Sequence, residues 1–526
     1  QRDGLTSFGL LLLFAVVGVL TAPGAKADIR AAERNGLSTK VNGSKGGRCN
    51  SGICRISGGK KSGRNKFLKL REFDTRGKIK AVEIETGGTK NVVLGVTSPV
   101  GSYINKGIEL SSKANLFWLS PGGIHLGAGA GFVNVPKLNL STARSLKFGG
   151  GVFDVFESNA TDLAGLNGDP LAGSLGLGGM SYQRDTAADG TVAGIQLEGI
   201  DIRIDQELFA DALDGAVEVR NSTIGVGDEQ GAGGRLTLTG ERVSLSGTTE
   251  LSARGSTAGG LIQVGGSWQN SDPSVREAVE ASVGSDVVLD ASSTDYGDGG
   301  EIVVWSDIKN PDSLTTVSGM LSVRGGAKGG DGGEIETSGF ELNVTGIDVD
   351  ATASKGDHGL WLLDPFDYTL DESDTAIIQS ALIEGTNVTI STASPSNSVG
   401  DLTIAADDDD SNGGAIIVNG SISVPAGGSA TGDLTLDADK DIQINAALEN
   451  VSGDGDLTLN SKTGVSIDSG GSINWDPGVS GYVELKASEN GYITGSGPIT
   501  MPNGLLKLYV NNDQGIPDHM DNIPDY

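Results

Sequence analysis

The sequence predicts an all-β chain, wound as a right-handed parallel β-helix (a solenoid) behind an N-terminal cap domain. Three observations carry that expectation. Short alternating strands arrive in triplets, as in Arg235-Leu-Thr-Leu-Thr-Gly240, Arg242-Val-Ser-Leu-Ser-Gly247 and Thr249-Glu-Leu-Ser-Ala-Arg-Gly255. Three period-two strands in about 20 residues make one coil of such a helix. Paired glycines recur at Gly233-Gly234, Gly259-Gly260, Gly299-Gly300, Gly332-Gly333 and Gly413-Gly414, each followed within two residues by Ile or Leu. Glycine is abundant, at 83 of 526 residues, while aromatics are only 5%. A thin core that closes at a glycine corner every few residues needs little aromatic mass.

Taking the chain in order, Leu5 to Leu20 is almost wholly apolar, follows Arg2 and ends in small residues around Ala25-Lys-Ala27. That pattern predicts a signal peptide over 1–27 and a mature start near Asp28, since the run is short for a membrane span. The chain is therefore expected outside the cytoplasm. Residues 1–80 hold 17 Lys and Arg against 5 Asp and Glu, a surplus of 12. With −30 over the whole chain, the remaining residues carry −42. An acidic body repels nucleic acid and anionic membranes and keeps a long surface soluble. The basic head lacks interleaved aromatics, so nucleic acid is not an expected partner. Cys49 and Cys54 are the two cysteines, too few for a metal cluster. In an oxidising compartment they would close a small hairpin disulfide, with free thiols the alternative.

From Ile53 to about Phe156 short strands are broken by glycine. Asn115-Leu-Phe-Trp-Leu-Ser-Pro-Gly-Gly-Ile124 reads as strand, tight turn, strand. Pro121 presets φ for the second turn position, and Gly122 is expected to supply positive φ at the third. This stretch resembles the N-L-F-x-L-N-P-N-G-I signature of the two-partner secretion domain of filamentous-haemagglutinin-type exoproteins. Asn115, Leu116, Phe117, Leu119, Pro121, Gly123 and Ile124 match, and Ser120 and Gly122 stand at the two motif asparagines. Arg55-Ile-Ser-Gly-Gly59 and Asn65-Lys-Phe-Leu-Lys-Leu-Arg-Glu-Phe73 look like two further family segments. Val96 to Gly107 and Ser141 to Phe148 resemble a third and a fourth. The ordered likeness covers roughly 100 residues, within a domain placed at 28–170.

The resemblance implies recognition by the periplasmic modules of a dedicated outer-membrane β-barrel transporter. It implies release to the cell surface or medium as an adhesin or haemagglutinin. Asn65, Asn115, Pro121, Gly122 and Gly123 are the expected secretion-motif residues. The partner outside would be a carbohydrate or protein of a host cell, neighbouring cell or matrix.

Residues 171–490 read as the β-helix body. Alternation puts Leu236, Leu238, Val243, Leu245 and Leu251 inside, with Thr, Ser and Arg outside. At about 20–25 residues per coil the body makes roughly 13–16 coils, a rod on the order of 60–75 Å. Gly259 to Trp268, Glu301 to Ser306 and Gly359 to Pro365 also look like the body of haemagglutinin-type exoproteins. Ile377, Ile378, Ala381 and Leu382 recur at helical spacing within Ser373 to Glu384, predicting one short helix that decorates a coil. Residues 491–526 form an acidic tail, and the uncapped stop at Tyr526 suggests truncation.

No cofactor, metal or catalytic residue is expected. Asp407 to Asp410 reads as a solvated loop rather than a calcium site. Asp331 lacks any nonapeptide period around it. Asn511 to Asp525 loosely resembles one degenerate thrombospondin type 3 repeat, and an acidic linker is the simpler reading. His125, His358 and His519 are scattered, with His125 facing solvent beside the turn. Asp201, Arg203 and Asp205 share one strand face and form the one compact candidate for chemistry, equally explained by surface salt bridges. An extracellular β-helix polysaccharide lyase or hydrolase, or the stalk of a toxin-delivery exoprotein, are the alternatives.

Overall fold

Parallel ladders stack from one end of the described chain to the other, about 16 turns of a β-solenoid. The computed structural model describes residues 27–33, 37–171, 192–392, 414–426, 431–488 and 491–510. The leader, the Asp407–Asp410 run, His519 and the acidic tail beyond 510 lie outside the described residues. At about 4.8 Å per layer the column is roughly 75 Å long.

Each full coil contributes three strands. On the first face, Asn65–Asp74 pairs with Asn91–Val96, then Asn115–Leu119, Lys137–Ser141 and Glu207–Asp211. This ladder continues unbroken to Leu505–Val510. The second face runs through Ser102–Ile104, Ile124–Leu126, Ile195–Glu198 and Ala216–Arg220. The third runs through Ile79–Ile84, Gly107–Leu110 and Gly131–Val133, and resumes at Asp201–Ile204. The ladder thus crosses residue 170 without interruption, because Lys137–Ser141 pairs directly with Glu207–Asp211.

Period-two alternation sends Leu236, Leu238, Val243, Leu245 and Leu251 inward, each at most 1% exposed. One column of Leu, Ile and Val forms a single core along the rod. The opposite faces are not uniformly solvated. Thr237 and Thr239 point outward yet are fully buried, because the excursion 265–279 lies over them. The Thr239 hydroxyl donates to the Arg276 carbonyl, and Arg235 pairs with Asp272. The expected outward direction of Thr holds there, but alternation fixes direction and not cover.

The paired glycines stack as a column at one corner. A methyl group on Gly260, Gly300, Gly333 or Gly359 would overlap the carbonyl oxygen of the glycine one coil earlier. Those same carbonyls accept the first ladder bonds, as from Leu261 N to Gly234 O and Glu301 N to Gly260 O, both 2.9 Å. Close approach, not positive φ, demands glycine here.

The N-terminal edge is covered by antiparallel strands. Asp28–Ala31 pairs with Asn65–Asp74 and with Arg48–Cys49, and Thr39–Val41 pairs with Gly52–Gly58. Such pairing occupies strand groups that would otherwise be open. Cys49 and Cys54 are disulfide-bonded within this cap.

The helix Glu372–Glu384 corrects one expectation. It is not an outer decoration: it follows the second-face strand Tyr368–Leu370 and precedes the first-face strand Asn387–Ser391, where other coils place a third-face strand. It packs against the third-face strands Asp348–Asp350 and Ile422–Val424, with Ile378, Ala381 and Leu382 in the core. Asp371 caps it by accepting from Ser373 N and Asp374 N, and Gly385 ends it at φ 103.

Candidate functional site

The first-face strands of the first coils are unusual: both their sides are buried. Leu68, Leu94 and Leu116 point into the rod core. Phe67, Val93 and Leu119 point outward into a second core. That core is supplied by an extension at 145–171, which opens with the antiparallel hairpin Ser145–Phe148 and Gly151–Asp154. Phe67 meets Phe148 edge-on at 5.6 Å and Phe153 at 5.3 Å. Double burial explains why Phe67-Leu68 and Val92-Val93-Leu94 read as continuous apolar runs.

Asn65 and Asn115 are brought together by a residue that the sequence reading missed. Asn91 is in register with both, forming a three-rung asparagine ladder. Asn91 Nδ2 donates to Asn65 Oδ1 at 2.8 Å, and Asn115 Nδ2 donates to Asn91 Oδ1 at 2.9 Å. Asn65 and Asn91 are essentially fully buried. The ladder also straps the extension down. Asn65 Nδ2 donates to the carbonyls of Leu166 and Gly168, at 2.7 and 2.6 Å, and Asn91 Nδ2 to Asp169 Oδ1 at 2.9 Å. Arg64 and Lys90 pair with the other Asp169 oxygen, at 2.9 and 3.0 Å. Partial burial opposes ionisation of Asp169, but the hydrogen bonds from Asn91, Lys90 and Arg64 prevail and hold its carboxyl below the usual range.

Two lysines serve the same region. Lys66 lies in an inward column with its stem in the core, and its ammonium donates to the Glu85 carbonyl. Lys69 Nζ donates to the Ser158 carbonyl at 2.6 Å, and burial lowers its pKa to about 8.

Pro121, Gly122 and Gly123 form a corner between the first and second faces. Gly123 N donates to Ser120 O at 2.9 Å, closing the turn. Positive φ falls on Gly123, at 106°, and not on Gly122 as the motif reading expected. Gly122 is needed for space, because a methyl there would strike the Ser98 carbonyl and the Gly101 nitrogen. Those atoms belong to Ser98-Pro99-Val100-Gly101, the same turn one coil earlier: Gly101 N donates to Ser98 O at 3.1 Å, and Gly101 has φ 78. Two Ser-Pro-x-Gly turns are therefore stacked. Trp118 Nε1 donates to Ser102 Oγ at 3.0 Å, Ser102 Oγ to Ser120 Oγ at 2.9 Å, and Ser120 Oγ to Gly123 O at 2.8 Å. Ser120 thus supplies side-chain bonding to the turn from the position of a motif asparagine.

His125 is outward on the second face but not freely solvated. It stacks on Tyr103 at 4.4 Å, bonds Gln196 Oε1 through Nδ1 at 2.8 Å, and has its pKa lowered mainly by burial. Asp201, Arg203 and Asp205 are exposed, and the last two turn to other partners. Arg203 pairs with Glu229 at 2.7 Å, and Asp205 with Lys113 at 3.1 Å. Among the described residues no group of three or more His, Cys, Asp and Glu could hold a metal ion.

Fold and site together define the chain's class: a parallel β-solenoid whose first coils carry an asparagine-strapped extension. No protein-family model matches the chain, and no curated protein matches it. As a class, a β-helix solenoid of this kind fits an extracellular β-helical exoprotein.

Proposed function

We propose that this is a secreted, non-enzymatic exoprotein of the two-partner secretion class, an adhesin whose first coils are its export address. One observation carries the reading. Asn65 and Asn115, which the motif resemblance singled out from separate segments, meet through the buried Asn91 in one ladder at the start of the first-face strands, whose far ends lead into the stacked Ser-Pro-x-Gly turns. Periplasmic modules of an outer-membrane β-barrel would read this region before the body folds. The body suits passage as an unfolded chain, since each coil needs mainly its neighbour for stability. Coils closing outside in order would bias movement outward. The finished rod displays a long acidic surface for contact with cells or matrix.

The test is binding of the partner transporter's periplasmic modules to the purified chain. The Asn115→Ala and Pro121→Gly variants should bind at least tenfold more weakly than the parent. Undiminished binding by both would remove the export reading. A reducing-sugar release assay on host and bacterial polysaccharides should stay at background, and turnover would contradict the non-enzymatic part.

A further inference from the structure

We infer that the rod carries a binding groove for an uncharged oligosaccharide on its first face, between the extension 145–171 and the excursion 265–279. The inference names a ligand class for the adhesin reading and rests on it. Upstream, the extension buries the outward side chains Phe67 and Val93. Downstream, the excursion buries Thr237 and Gln263. In the interval between these covers lies a cavity of about 720 Å³. That is ample for a short oligosaccharide.

Its floor is one register column, Phe117, Asn139 and Phe209, on three successive coils. The two rings are partly exposed. They stand two rungs apart, roughly 10 Å, about the length of a disaccharide. An aromatic ring offers a flat apolar face to the C–H face of a pyranose, and the amide between can both donate and accept.

The rim settles the charge class. Its cations are each matched: Lys90 with Asp169 at 3.0 Å, Lys137 with Glu207 at 2.7 Å, Lys113 with Asp205 at 3.1 Å and Arg235 with Asp272 at 3.2 Å. A sulfated or uronic ligand would meet none of these cations without a carboxylate beside it, and that carboxylate would repel it. A neutral sugar meets no such repulsion, because each hydroxyl can donate to the carboxylate and accept from the cation. Paired ions beside an amide and two aromatic rings are thus complementary to a polyhydroxylated, uncharged ligand.

The test is calorimetric titration of the full purified chain with neutral tetrasaccharides of glucose, N-acetylglucosamine and mannose, each up to about 10 mM. At least one should bind. Phe209→Ala should weaken that binding tenfold or more, while Phe209→Trp retains it and shows that the groove, not the fold, was altered. Lys80→Ala on the third face should leave it unchanged. No binding by any probe would overturn the inference, as would equal binding by Phe209→Ala or preference for a sulfated tetrasaccharide lost on adding salt. Cell adhesion scored on the same preparations separates the two readings. Adhesion without sugar binding refutes the groove and leaves the adhesin. Sugar binding through Phe209 without adhesion does the reverse.

Discussion

Replacing Asn91 by alanine removes the middle rung of the asparagine ladder. Three side-chain hydrogen bonds go with it: to Asn65, to Asp169 and from Asn115. Asp169 keeps Arg64 and Lys90 and is 42% exposed, so its loss counts for little. Asn65 Oδ1 is different, for it sits on a fully buried residue. An orphaned buried acceptor costs about 1–3 kcal/mol, and the half-exposed Asn115 amide about 1 more. The expected loss is therefore about 2–4 kcal/mol, and it is local, because solenoid coils couple mainly to their neighbours. Hydrogen exchange followed by mass spectrometry should show it over 145–171 and the first-face strands beneath. At about 1.4 kcal/mol per tenfold, protection there should fall roughly 30- to several-hundred-fold. Asn460→Ala, which removes a 2.7 Å bond to Asp437 far along the rod, should leave 145–171 untouched. Unchanged exchange over 145–171 in the Asn91 variant would refute the strap. So would equal loosening along the whole rod.

Gly260→Ala forces a methyl group against the Gly234 carbonyl, so it should destabilise the coils on either side by about 1–3 kcal/mol, read as local proteolysis near 230–300. Trp361→Ala empties a fully buried site whose Nε1 donates to Thr337 Oγ1 at 3.1 Å, and should cost about 3–5 kcal/mol in denaturant midpoint experiments. Asp364, 2% exposed, has its pKa raised from 3.8 to about 7, by burial first and the charge of Asp437 second. The folded state thus holds a proton that the unfolded chain releases near pH 4. Its stabilisation is complete below that pH and is lost as pH rises through about 7, on the order of 4 kcal/mol at most. Asp364→Asn should flatten thermal stability across that window and exceed the parent at pH 8. A parent melting profile flat from pH 4 to 8 would contradict this.

How much was legible in sequence depended on whether one strand or several had to be read. Triplet strands and glycine pairs repeat within a coil, so Leu236, Leu245 and Gly260 declared their places locally. Asn91 did not. Its strand Asn91–Val96 carries no motif, and its meaning comes only from lying 26 residues after Asn65 and 24 before Asn115. Asparagine opening three successive first-face strands was the available signal, and coil spacing would have exposed it. The turn was read correctly as a turn, but the positive φ expected at Gly122 falls on Gly123. Gly122 faces the neighbouring turn at Ser98–Gly101, a contact between coils that a single-turn rule cannot see. The outward direction of Thr237 was legible but its cover was not, because alternation says nothing about an excursion some 30 residues later. The helix Glu372–Glu384 showed its spacing plainly, while its position in the wall depended on which strand it replaced.

The proposal that the first coils direct export is tested most directly by release from cells making both this chain and its transporter. Folded, protease-resistant protein should appear in the medium beginning near Asp28, with the Asn65→Ala and Pro121→Gly variants held in the periplasm. Equal release of both variants, or uncleaved parent protein confined to the cytosol, would contradict it.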